Sequence, residues 1–505
     1  MGIGDIKLAA YSRKDVILMG NPSMTFFKTV YRRHSMFITQ EYEHSFSSAI
    51  GFAGSGFAWI PSNGDMLSDL SIIIDMPQLE SLSRDLFYKY VDYPALALIK
   101  KISFEINNKT VVEIDGTMLW HQLESSMYNS MAPQVDLANN RNTETHRSGV
   151  EKLLGQDVKL QTFANVQPAV RWQIPLNLWF SQQPSLFLPL VNLDTKSVRL
   201  NVVLHSLEHI VLFGPTHVLR TTDPCIFPNW SQLQVQSNLT GRPRFNINSS
   251  IINKRFQLFS TTRQNNITKL FVNCIGDGID LNSSELLLID KDNINSKWNG
   301  TIEPLETNVF RCKQNLKRYA IRKIVVLSTQ VTLSQQERRV LVGQTNRLFV
   351  SKWVSDTFNP IGNNLVQRLN YKSISSMLCF SFIMNENIKY KKYFSFSDVF
   401  KEKIGTISLA INSQHIIDKI DSNILQVIQH DHGIETNNRN NIYCIPFSFI
   451  PLLPTPTGHY NMAAFTDILL TTRLSEIFLN LAGQINVYDK INFVCEIRKG
   501  ELIYV

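Results

Sequence analysis

The stretch best equipped for chemistry is His430-Asp431-His432, with Glu435 close behind it. On a strand, two imidazoles at i and i+2 share a face, and the nearby carboxylate would complete a 2-His-1-carboxylate metal site. The run from Gln429 to Gly433 reads more simply as a polar turn, so no metal is expected there. Nucleophilic catalysis has no better footing, because no G-x-S-x-G motif occurs. The six cysteines (Cys225, Cys274, Cys312, Cys379, Cys444, Cys495) are far apart and form no C-x-x-C pair. They are expected to be buried free thiols in a reducing compartment, with neither a disulfide framework nor a zinc site. No glycine-rich loop of the phosphate-cradling kind stands in a strand–helix setting. Lys28, Tyr31, Arg32 and Arg33 could touch nucleic acid by charge and stacking. One short basic cluster binds weakly in physiological salt, so a protein contact is the better reading and no specific nucleic acid is expected. The expectation is a chain with no catalytic residue, no cofactor and no metal.

The totals agree with a structural role. At 505 residues the chain exceeds what one core supports, so two domains are expected. Hydrophobic residues make up 44% and charged ones only 18%, which suits a globular protein that hides surface in assembly contacts. The net charge of +8 is dispersed, with no Lys/Arg block longer than three, and reads as an ordinary solvated surface. Met1 to Leu8 has no apolar signal-peptide core, and no run approaches a membrane span in length. The protein is therefore expected to be made in the cytosol. The seven N-x-[ST] sequons, from Asn108 to Asn299, are then expected to stay unmodified.

The elements that must carry these residues are strands. Leu70, Ile72, Ile74 and Met76 share one face, as do Val198, Leu200, Val202 and Leu204. Ile407, Leu409 and Ile411 repeat the pattern, and so do Ile491, Phe493, Cys495 and Ile497. Half-buried strands separated by Asn/Gly/Pro/Ser turns predict antiparallel sandwiches. One helix is predicted from Thr117 to Met127, on the i, i+4, i+8 series Leu119, Leu123, Met127, with Asp115 or Thr117 as its cap. It is expected as a loop insertion between strands. Gly214, Pro215, Pro224, Pro228, Gly241 and Pro243 punctuate a predicted linker over 213–245. The expected domains are an arm (1–37), a first sandwich (38–212) and a second (246–505). The Asn/Asp/Ser-rich stretch at 276–308 is expected as a surface loop insertion.

Short motifs make the reading more specific. Asp15 to Phe37 reads DVILMGNPSMTFFKTVYRRHSMF, an apolar run, a Gly-Asn-Pro turn and a basic, aromatic arm. It closely resembles the N-terminal signature of the major capsid proteins of large icosahedral (nucleocytoplasmic) DNA viruses. Asn63-Gly64-Asp65-Met66-Leu67 is similar to that family's N-G-D-L-I turn, and Ile114-Asp115 with Trp120 to its I-D…W element. Ile174-Pro175-Leu176 through Pro189-Leu190 resembles its I-P-L…L-P-L segment, and Ile442 to Asn461 a fifth element, with Thr455-Pro456-Thr457-Gly458 in place of Q-P-S-G.

The resemblance implies an all-β chain of two tandem eight-stranded antiparallel jelly rolls, with short helices and long loops inserted. It implies a subunit of an icosahedral shell whose homotrimers form pseudo-hexagonal capsomers. Its partners would then be neighbouring capsomers, penton and minor capsid proteins, and an internal membrane beneath the shell. Its place would be the virion, after synthesis and assembly in the host cytoplasm. A minor capsid or scaffolding protein of the same fold remains open, as does a carbohydrate-binding or cupin-like module. Candidate inter-chain contacts are Phe26, Phe27, Tyr31, Arg32 and Arg33 in the arm, and Trp179, Phe180, Leu186 and Phe187. The last four follow Pro175 and flank Pro184 and Pro189, which should hold the stretch off central strands.

Overall fold

The computed structural model describes residues 35–504 except 81–86, 130–148, 162–163, 195, 215–216, 222–229, 238–255, 265–266, 275–283, 291–294, 298–300, 305–315, 344–345, 360–363, 372, 397–405, 435–440, 466, 474–482 and 499; over 217–304 it describes strand backbone only. Eight strands build a first sandwich: β1 (Phe37–Ser45), β2 (Ser55–Trp59), β3 (Met66–Met76), β4 (Ile99–Ile106), β5 (Lys109–Ile114), β6 (Val170–Pro175), β7 (Val198–Leu204) and β8 (Lys323–Leu333). Eight more build a second: β9 (Asn346–Phe358), β10 (Asn364–Arg368), β11 (Ile374–Met384), β12 (Thr406–Ile411), β13 (Gln414–Ile420), β14 (Ile442–Pro446), β15 (Ile468–Arg473) and β16 (Gly483–Arg498).

The sheets of the first sandwich run β1-β8-β3-β6 and β2-β7-β4-β5, all antiparallel. Those of the second run β9-β16-β11-β14 and β10-β15-β12-β13. Adding eight to each strand of the first pair gives the second pair. Each is a jelly roll, and the chain carries the design twice.

The alternating residues fall where their period places them. Leu70, Ile72, Ile74 and Met76 are buried in the first sandwich with Val198, Leu200, Val202 and Leu204. Ile407, Leu409 and Ile411 are buried in the second. Strand β11 serves two cores at once. Its Leu378, Phe380 and Phe382 point into the second sandwich, while Met377, Cys379 and Ile383 join the apolar cluster of the first.

The pairing revises the expected division of the chain. The first sandwich does not close before residue 213, because its eighth strand is β8, far beyond the proposed linker. Side chains fix it there: buried Gln330 accepts hydrogen bonds from the backbone N–H groups of Asn63 and Gly64 (3.0 and 2.7 Å), and Asp65 accepts one from that of Leu333 (2.8 Å). Nor is 213–245 a bare linker, or 276–308 simply a loop. Between β7 and β8 lie two further sheets, with strands His217–Thr221, Phe256–Gln264, Ile267–Cys274 and Thr301–Pro304 in one, and Trp230–Ser237, Ser284–Asp290 and Asn295–Lys297 in the other. Leu233 and Val235 alternate with Gln232, Gln234 and Gln236 in the strand Trp230–Ser237, within the supposed linker.

Candidate assembly surface

The predicted helix forms as α1 (Gly116–Asn129), between β5 and β6. Asp115 starts it by accepting a hydrogen bond from the Met118 backbone N–H at 2.6 Å, which satisfies a donor the first turn leaves open. It is more than an insertion. Trp120 stacks on Phe394 (5.9 Å) and leans on Phe396 (5.2 Å), both from the β11–β12 connection of the second sandwich. His121 Nε2 lies 3.1 Å from the Ser381 hydroxyl, and its ring centroid is 4.4 Å from that of Tyr488. These contacts make α1 the wedge of the seam between the sandwiches. Lys352 on β9 adds a hydrogen bond to the Val111 carbonyl at 3.1 Å. A second clasp forms where the Lys391 ammonium donates to the Glu208 and Val211 carbonyls, and Tyr393 stacks on His209 with centroids 4.3 Å apart.

Burial sets the electrostatics of this seam. Burial pushes the His121 imidazole down to about 3. Burial, with neighbouring Lys391 and His205, pushes His209 down to about 4. The Tyr488 phenol and the Cys379 thiol are both driven upward by desolvation. At neutral pH His121, His209, Tyr488 and Cys379 are therefore uncharged in the seam.

The predicted contact residues separate into three groups. Phe26, Phe27, Tyr31, Arg32 and Arg33 lie outside the described residues. Trp179 and Phe180 are not available to a neighbouring chain: both are buried, their rings 5.6 and 5.5 Å from Phe104 inside the first sandwich. Two short 3₁₀ turns, Trp179–Ser181 and Pro184–Leu186, fold the segment back so that its largest apolar groups turn inward. The prolines do not keep it off the sheet either, since Pro175 pairs with Ser71 and Pro189 with Met66 on β3. Leu186 and Phe187 stay half-buried.

The His430 cluster is not on a strand or in a simple turn. Helix α2 (Ser422–Asp431) ends there, and His432 Nδ1 sits 3.0 Å from the carbonyls of Ser448 and Phe449. Helical spacing removes the shared face that i, i+2 imidazoles have on a strand. Among the described residues, no group of three or more His, Cys, Asp or Glu side chains is placed to hold a metal. Asp421 caps α2 through the Ile424 backbone N–H at 2.9 Å. Asp421→Ala should lower stability by about 1 kcal/mol in chemical denaturation, the usual worth of such a cap.

Residues 25–232 match the family model described as "Major capsid protein N-terminus". This part of the chain is similar to the N-terminal part of major capsid proteins. The "Probable capsid protein 4" of Acanthamoeba polyphaga mimivirus is 30% identical over 231 residues, 45% of this chain and 42% of that protein. The match thus spans less than half the length of the curated relatives. Solved capsid structures extend the likeness through both sandwiches. The Faustovirus major capsid protein superposes with a TM-score of 0.63 at 10% identity, covering 96% of this chain and 94% of its own. The PBCV-1 capsid subunit does so with a TM-score of 0.58 at 14% identity, covering 95% and 100%. At such identities the structural likeness establishes the fold, a double jelly roll.

Proposed function

We propose that the chain is a structural, non-enzymatic subunit of an icosahedral viral capsid, and that three copies form a pseudo-hexagonal capsomer. The observation that carries this is the repetition of one strand order in two sandwiches joined by a buried seam. Two like units in one chain let a three-fold ring present roughly six-fold outline, which fills hexagonal sites. Each chain would bury on the order of thousands of Å² against its neighbours, the range of obligate interfaces. Contacts between capsomers would be smaller and more polar, so that assembly errors can be corrected. Leu186, Phe187 and the arm residues Phe26, Phe27, Tyr31, Arg32 and Arg33 are proposed to serve contacts between chains. Penton and minor capsid proteins, an internal membrane and assembly in the host cytoplasm complete this reading.

The test is the native mass in light scattering, expected at about three times the 57.9 kDa chain. A single-chain mass at micromolar concentration would refute the capsomer. Copy number per particle then separates a major shell subunit from a minor one.

A further inference from the structure

Strand β14 ends the sheet β9-β16-β11-β14, and among the described residues it pairs only with β11. In that register Cys444 stands directly opposite Cys379, so both thiols leave the same face of the sheet. The face is the one turned to the seam. Tyr488 on β16 stands opposite Cys379 on its other side, and the His121 ring packs on Tyr488. Cys379 and Cys444 are 3 and 1% exposed, inside the apolar cluster that the two sandwiches share.

Both are free thiols, as is Cys495. Their sulfurs lie 2.6 Å apart, closer than the about 3.5–4.0 Å at which unbonded heavy atoms settle. Residues directly opposite in an antiparallel pair have Cα atoms about 4.5–5.5 Å apart, inside the roughly 4.4–6.8 Å that a disulfide spans. Cys495 is the contrast. It is fully buried on β16, but its cross-strand neighbours are Leu348 and Tyr504, neither of which carries sulfur.

We infer that Cys379 and Cys444 are a cross-linking site, oxidised by a small peroxide to a cross-strand disulfide that pins β14 to β11. One thiol, as its thiolate, attacks a peroxide oxygen; the O–O bond breaks, hydroxide leaves and a sulfenic acid remains. The second thiol attacks that sulfur, the S–S bond forms and water leaves. Two thiols and one hydrogen peroxide thus give one disulfide and two waters. Burial, with the Cys444 thiol alongside, pushes the Cys379 thiol up, so thiolate is scarce at neutral pH and the pair closes slowly. Reducing surroundings hold it open, and an oxidising medium closes it. The bond restrains more than one strand. It closes a loop from residue 379 to residue 444 that contains β12, β13 and α2, and Gln429 on α2 donates to the Cys444 carbonyl at 3.1 Å. Fraying of the end strand would carry α2 with it, and the disulfide opposes both. The bond lies within one chain and does not depend on whether chains assemble into capsomers.

The test treats the folded full chain with hydrogen peroxide, unfolds it in an alkylating reagent and digests it without reduction. Mass spectrometry is expected to find a peptide joining Cys379 to Cys444, lost on reduction, with Cys495 alkylated as a free thiol. Oxidised wild type is expected to melt about 5–10 °C above the reduced protein, and Cys444→Ser to melt at the same temperature before and after peroxide. Alkylated Cys379 and Cys444, or sulfinic acid at either, overturns the cross-link. A linked peptide with no rise in melting temperature, or an equal rise in Cys444→Ser, overturns the pinning of β14. If Cys444→Ser does not fold, the linked peptide and the melting of oxidised against reduced wild type decide.

Discussion

Trp179→Ala should destabilise the chain by about 3–5 kcal/mol in denaturant unfolding while leaving the mass of the assembled particle at its wild-type value. Trp179 is 1% exposed and meets Phe104 and Phe180 edge-on, at centroid distances of 5.6 and 4.9 Å. Truncation removes an indole from a packed site and leaves a cavity whose walls relax only in part. The penalty falls on the first sandwich, because all three rings belong to it. A residue at a chain–chain contact would behave in the opposite way, with normal melting and a reduced mass. That outcome would return Trp179 to the surface and undo its placement in the core.

The same residue marks where reading the sequence stops working. Period-2 alternation identified strands correctly because one face of each sheet is buried, and a one-residue slip would expose it. The prolines around Trp179 implied a stretch off the sheet, yet Pro175 and Pro189 pair with β3, and proline fixes φ and removes a donor without deciding which way the neighbouring rings turn. That choice is made by Phe104 on β4, some 75 residues earlier in the sequence. The domain boundary failed for a related reason. Strand β8 pairs with β1 across nearly three hundred residues, and no local pattern carries information on such a pairing. The helix α1 was legible from its leucines and its cap. Its role was not, because what buries His121 is Ser381 and Tyr488 of the other sandwich. The His430 cluster was read as a polar turn, whereas His430 and Asp431 end a helix and His432 is its C-terminal cap.

His121 gives the seam a dependence on acidity. The imidazole protonates near 6.5 in the unfolded chain and only at about 3 in the native seam, because burial disfavours its charged form. Between those values the unfolded chain binds more protons, so stability falls as pH falls. The contribution is complete above pH 6.5, is lost progressively on the way down to pH 3, and amounts to about 5 kcal/mol at 1.36 kcal/mol per unit. His121→Gln keeps a polar group near the Ser381 hydroxyl but does not titrate. Its melting temperature should therefore decline less than that of wild type between pH 6.5 and pH 4, with the two curves parallel above pH 7. His44, His205 and His209 are also lowered by burial, and they contribute equally to both proteins, so the difference isolates the seam. Parallel curves throughout would mean that the native imidazole already meets water. The wedge of α1 between the two sandwiches would then be wrong.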